Sequence, residues 1–226
     1  MHWLTQFWNA VRSKNQTDKQ TPLSDLNFCV IDLETTGLDP PPVCRIIEIG
    51  AMRVSQGEIT DRFTTLVNPQ RVIPDEVVLL TGITNEAVSQ APSLQETLPN
   101  FLTFIDHSVL VAYQADFDCS HLNYALRQLM KTTLKTTNIC LYKLAMRLLK
   151  DLNSYDLEVV AGHLGFKAED RHRASGDAET AAIMLIKFLD LLPEKGIVTL
   201  KDLTRFLKGF DLQKRGAHFS APPSYY

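Results

Sequence analysis

Between Phe28 and Leu38 the chain reads Phe-Cys-Val-Ile-Asp-Leu-Glu-Thr-Thr-Gly-Leu, an apolar, partly β-branched run that ends in two carboxylates one residue apart and is broken by Thr-Thr-Gly. Such a run asks for a buried strand. Side chains at i and i+2 of a strand share one face, so Asp32 and Glu34 project together from the strand's end. Like charges held that close repel, and the usual remedy is a divalent cation with oxygen ligands. A strand with a polar edge running into a turn would carry the same residues. The pair becomes a site only if other carboxylates join it from comparable element ends.

At 226 residues the chain suits one substantial core. Pro40, Pro41 and Pro42 exclude helix and central strand after Leu38. A second strand is expected over Arg45–Val54, then a tight turn at Gln56-Gly57 and a third strand over Glu58–Val67. Beyond these, Thr84 and Ser93 read as helix N-caps, Leu94 to Ile105 repeats at helical spacing, and Ser108–Tyr113 reads as a short strand. Helical patterns follow from Asp116, over Leu141–Leu152, over Asp156–Leu164 and over about Ser175–Leu191. Strands first, then strands interleaved with helices, imply a mixed sheet flanked by helices in one α/β domain. Trp3, Leu4, Phe7, Trp8 and Val11 give a short amphipathic N-terminal helix, Arg12–Thr21 a linker, and 211–226 a loose tail.

Two further acids fall at element ends. Asp118 lies where the fourth strand passes into a helix, and Asp177 lies near the start of the last long helix, with His172 five residues upstream. Either alone is as readily a helix-capping acid as a functional one. Four carboxylates at element ends together with a histidine make coincidence a poor explanation.

The motifs Asp32-Leu33-Glu34-Thr35-Thr36-Gly37-Leu38, Arg45-Ile46-Ile47-Glu48-Ile49-Gly50-Ala51, Leu80-Thr81-Gly82-Ile83-Thr84, Phe117-Asp118 and His172-Arg173-Ala174-Ser175-Gly176-Asp177-Ala178 resemble, in order, those of the DEDDh 3′→5′ exonucleases, the DnaQ-like group typified by a polymerase proofreading subunit. The resemblance covers roughly residues 26 to 190. It implies a ribonuclease-H-like fold, a mixed five-stranded sheet flanked by helices. It also implies Asp32, Glu34, Asp118 and Asp177 as ligands of two Mg²⁺ ions, with Mn²⁺ substituting, and His172 as general base. Thr35, Thr36, Gly37 and Leu38 become the expected seat of the terminal nucleotide. Tyr113 and Gln114 stand where the family commonly has His-Asn, so the hold on the terminal sugar is expected to rest with them. Glu48, a charge among isoleucines, either meets the 3′ end or pairs with a basic neighbour. Arg171 and Arg173 either meet phosphates or form a solvated basic face.

The expected activity is release of nucleoside 5′-monophosphates from single-stranded DNA 3′ ends, in proofreading or repair. An RNA-directed 3′→5′ exonuclease and a polymerase accessory subunit with weak catalysis are the alternatives. A DNA polymerase subunit is the candidate protein partner. The domain partition expected is 1–24 (N-terminal helix and linker), 25–191 (exonuclease domain) and 192–226 (C-terminal helix and tail). The formal charge of −3 offers no global positive field, so a nucleic acid must be held by local basic groups and bound cations. Cys29, Cys44, Cys119 and Cys140 show no C-x-x-C spacing, which argues for reduced thiols in a cytoplasmic protein rather than a zinc site. No run of about 20 apolar residues suggests a membrane span, and no basic-then-apolar N-terminus suggests a secretory signal.

Overall fold

Strand β1 (Asn27–Thr35) is the middle of a five-stranded sheet in the order β3-β2-β1-β4-β5, in a computed structural model that describes residues 18–208 except residue 151. The expected amphipathic helix near the N-terminus and the expected loose tail lie outside the described residues. Strands β2 (Ile46–Ser55) and β3 (Glu58–Leu66) form an antiparallel meander with β1, joined at Gln56-Gly57. Both turn residues have positive φ, 52° and 78°, the backbone of a primed turn whose twist matches the strands it joins. Strands β4 (Val109–Ala112) and β5 (Asn138–Cys140) lie parallel to β1 on its other side.

Alternation along β1 feeds two cores. Phe28 and Val30 pack with Met52 and Val54 beneath helices α5 (Leu141–Leu148), α6 (Leu157–His163), α7 (Ala174–Leu191) and α8 (Leu200–Leu207). Cys29, Ile31 and Leu33 pack on the opposite face with α3 (Leu94–Phe104) and α4 (Ala115–Met130). A strand buried on both faces needs the nearly continuous apolar run that opens the motif. Because β3 and β4 run parallel to β1, the carboxyl ends of all three lie at one end of the sheet. That is where open α/β sheets place ligands.

Several boundaries differ from those read in the sequence. The helix expected over Leu141–Leu152 stops at Leu148, because Leu149 turns extended to reach the first core and its carbonyl accepts from the Tyr155 hydroxyl at 2.7 Å. Helices α1 (Asp75–Thr81) and α2 (Asn85–Ser89) cover a small cluster of Ile47, Ile73, Val77, Ile83 and Val88. Helix α1 was not foreseen, although Pro74 before it, two acids in its first turn and Gly82 in the left-handed conformation after it are ordinary boundary signals. Among the described residues no helix is long and apolar enough to cross a membrane.

Candidate active site

Asp32 and Glu34 leave β1 on the face that carries α7, in register with Gly50 and Glu48 of β2. Helix α7 begins directly on this strand pair. A Cβ at Gly50 would lie 2.0 Å from the carbonyl oxygen of Ala174, so only glycine lets the first turn of α7 settle there. That docking brings Asp177, in the first turn, over the end of β1. One carboxylate oxygen from each of Asp32, Glu34 and Asp177 lies within 4.8 Å of the others. Asp118, 4% exposed in the first turns of α4, arrives from the neighbouring strand β4, and its charge bears on Asp32.

The loop before α7 is bent tightly. Asp170 and His172 both have positive φ, 47° and 60°, and a Cβ at Gly176 would lie 2.2 Å from the Asp170 carbonyl. The bend turns the His172 amide to donate to Asp177 Oδ2 at 3.2 Å. Arg171 binds Asp177 Oδ1 through Nη1 and Glu158 Oε1 of α6 through Nε at 2.8 Å.

Electrostatically the cluster is unbalanced. Burial first, then repulsion from Asp118, Asp177 and Glu34, pushes Asp32 well above the carboxylate range. Burial and the neighbouring Asp177 and Glu48 raise Glu34 to about 8, and burial raises Asp118 to about 7. Asp177 is raised by burial and pulled back by Arg171. Burial, helped by Arg171, holds the His172 imidazole below its usual value, so it is neutral at neutral pH. An all-oxygen donor set with so much unopposed negative charge fits hard divalent cations of the Mg²⁺ class.

The other expected contacts divide. Glu48 is fully buried and pairs with a basic neighbour. Arg173 donates to it through Nε at 3.1 Å and Nη2 at 2.7 Å, and the Ala174 amide donates at 2.8 Å. It therefore caps α7 from a distant strand, and its expected contact with a 3′ end gives way because both oxygens are taken and no solvent reaches it. Tyr113 is likewise turned into the first core, 8% exposed, with its hydroxyl given to the Tyr155 carbonyl, so that hydroxyl is not available to a terminal sugar. Gln114 is half-buried at the N-cap of α4. Thr35 and Thr36 are buried, and their hydroxyls hold the loop itself: Thr35 donates to the Gly37 carbonyl, and Thr36 accepts from the Arg45 amide at 3.1 Å. Gly37, at φ 153°, leaves no room for a Cβ, which would sit 2.9 Å from Cys44 Sγ, while Leu38 stays exposed beside it. Arg171 and Arg173 are spent on carboxylates rather than forming a solvated basic face. Glu158, which anchors Arg171 from 13 residues upstream, stands on a helix that carries none of the motifs. The glycines at 50 and 176, set inside a strand and a helix, were signals of close backbone approach.

Comparison with known proteins agrees with this geometry. A profile described as an exonuclease, the RNase T family, matches residues 29–185. The DNA polymerase III epsilon subunit of Aquifex aeolicus is 37% identical over 188 residues, which cover 83% of this chain and 93% of that protein. A PolC-type DNA polymerase III of Thermotoga maritima is 37% identical over 198 residues, 88% of this chain; the chain spans only 14% of that polymerase. Among solved structures, exonuclease X in complex with 5′-overhanging duplex DNA aligns at a TM-score of 0.62 and 25% identity, over 80% of this chain and 99% of that one. The nuclease domain of 3′hExo, a DEDDh member bound to rAMP, shares the fold at a TM-score of 0.66, covering 74% of this chain and 93% of that one at 23% identity.

Proposed function

The chain belongs to the exonuclease family, and from that membership we propose that it is a divalent-metal-dependent 3′→5′ exonuclease acting on single-stranded DNA ends in the cytoplasm. The observation that carries the reading is three carboxylates, Asp32, Glu34 and Asp177, gathered at one end of the sheet with Asp118 bearing on them; burial and then repulsion raise Asp32 and Glu34 against the pull of Arg171, and burial raises Asp118. Such an arrangement opposes folding unless a ligand uses it. In this proposal Asp32, Glu34, Asp118 and Asp177 hold two Mg²⁺ or Mn²⁺ ions. Bound there, the pair would supply neutralisation of the scissile phosphate and of the charge building on the leaving 3′-oxygen.

The chain's own groups do the rest. An imidazole nitrogen of His172 takes the proton of the attacking water, a role suited to a ring kept neutral by burial and by Arg171. Arg171, tied to both Asp177 and Glu158, fixes the loop on which His172 stands. The loop Thr35-Thr36-Gly37 offers its backbone to the terminal nucleotide, with Leu38 beside the last base. The names of the relatives, polymerase III epsilon and PolC, support DNA as substrate and a replicative polymerase as partner. The test is mononucleotide release from 3′-labelled single-stranded DNA and matched RNA with Mg²⁺, Mn²⁺ or EDTA. DNA turnover lost in EDTA is the expected result. Preference for RNA would move the substrate class, and EDTA-resistant turnover would remove the metals from the mechanism.

A further inference from the structure

The loop after β1 and the segment after β3 return at the same end of the sheet, because β3 runs parallel to β1. They are laced together twice. Arg45 donates through Nη1 to the Pro69 carbonyl at 2.8 Å, and Arg71 donates through Nη1 to the Val43 carbonyl. The seam carries two large apolar side chains in solvent, Val43 at 55% and Val72 at 76% exposed. Both arginines are exposed and spend one guanidinium nitrogen on the lacing. The ledge is continuous with the loop of the active site. The Thr36 amide donates to the Arg45 carbonyl at 2.8 Å, and the Arg45 amide donates back to Thr36 Oγ1 at 3.1 Å.

Exposed apolar groups interleaved with guanidinium planes suit a single-stranded nucleic acid, whose bases stack on guanidinium and apolar surfaces while its phosphates take N–H donors. The position also answers an electrostatic need. A polyanion must approach four carboxylates on a chain of net charge −3, so cations beside the cleft have to hold it. An apolar protein surface would bury the valines but would leave two fixed guanidinium groups facing nothing of opposite charge. The crossed ties fix the loops before a strand arrives, which lowers the entropy lost on binding.

We propose that Val43, Arg45, Arg71 and Val72 form a platform for the nucleotides that precede the terminal one in a single-stranded substrate. The inference rests on the exonuclease reading, and it predicts an effect that depends on substrate length. The probe pair is an oligothymidylate and the p-nitrophenyl ester of thymidine 5′-monophosphate, which offers the terminal nucleotide with nothing before it. Arg71→Gln and Val72→Ser are each expected to lower kcat/KM on the oligonucleotide about tenfold, mainly through KM, with ester hydrolysis unchanged. Val198→Ser, an exposed valine just before α8, is the control and should change neither. Equal losses on both substrates, or no loss on the oligonucleotide, overturn the platform.

A second arm reads binding alone. On an Asp32→Ala background with Mg²⁺, fluorescence anisotropy of a labelled oligothymidylate should show about tenfold weaker affinity for the Arg71→Gln and Val72→Ser proteins. Unchanged affinity overturns the proposal and leaves the ledge to a protein surface. If the wild-type chain cleaves neither probe, the enzyme reading fails by itself, and weakened oligonucleotide affinity in this arm still supports the platform.

Discussion

Glu34 and Glu48 are register partners across β1 and β2, yet the fold treats them oppositely. Glu48 is sealed from solvent and given three donors by Arg173 and Ala174. Glu34 has no such donors among the described residues, and burial first, then the neighbouring acids, raises its carboxyl to about 8. A charge that the fold itself uses is matched within the chain. A charge left short of a partner, at a cost in stability, is one kept for something that binds. The same contrast separates the two arginines of the loop: Arg173 belongs to the matched pair, whereas Arg171 leans on the unmatched cluster.

The strongest way to break this contrast is to remove an unmatched acid. Asp32→Ala is expected to abolish detectable nucleotide release while its melting temperature in EDTA is no lower than the wild type's, since repulsion is relieved. A mutant that still turns over, or that unfolds, would put Asp32 with Glu48 among the structural charges. His172→Ala should cost about 10²–10⁴-fold in kcat, with part of the loss recovered at high pH where hydroxide is plentiful. A near-normal rate at neutral pH would take His172 out of the mechanism.

On the matched side the effect falls on stability. Arg173→Met leaves Glu48 charged and sealed, with an expected loss of about 3 kcal/mol, the low end for a broken buried pair because Arg173 is 43% exposed. By the usual scaling for a chain of this size, melting should fall by about 6–12 °C. A loss that instead appeared in kcat with melting unchanged would reassign Glu48 to the substrate.

A last test distinguishes the clusters by pH. Glu34 at about 8 and Asp118 at about 7 hold protons in the folded chain that the unfolded chain releases near pH 4. Their contribution to stability is complete below about pH 4 and disappears as pH rises through about 7 to 8. In EDTA the melting temperature should therefore decline between pH 5 and 8.5, and saturating Mg²⁺ should remove the decline. A metal-free protein whose melting temperature stays level or rises over that window would contradict the unmatched cluster.

The chemistry was more legible in the sequence than its mounting. Asp32, Glu34, Asp118, His172 and Asp177 stand in short motifs at element ends, and the order of those motifs along the chain, rather than any one of them, singles these residues out as candidates. Four of the five strands could be read from apolar runs and turns. Asn138–Cys140, at three residues, is too short to declare itself and entered through the family resemblance. What local pattern does not carry is pairing across the fold. Glu48 finds Arg173 125 residues away, and Arg171 finds Glu158 on a helix outside every motif. Tyr113 could be taken for a nucleotide contact because its strand end is the right place, yet its ring faces the helices of the first core, a direction set by packing.

Gly50 gives the site a fine mechanical tolerance. Sheet and helix are each rigid, and they meet here with no side chain between them, so the gap spanned by Asp32, Glu34 and Asp177 is gauged by a single hydrogen atom. Anything bulkier at that point would act as a shim, lifting one jaw of the site away from the other while leaving every acid intact.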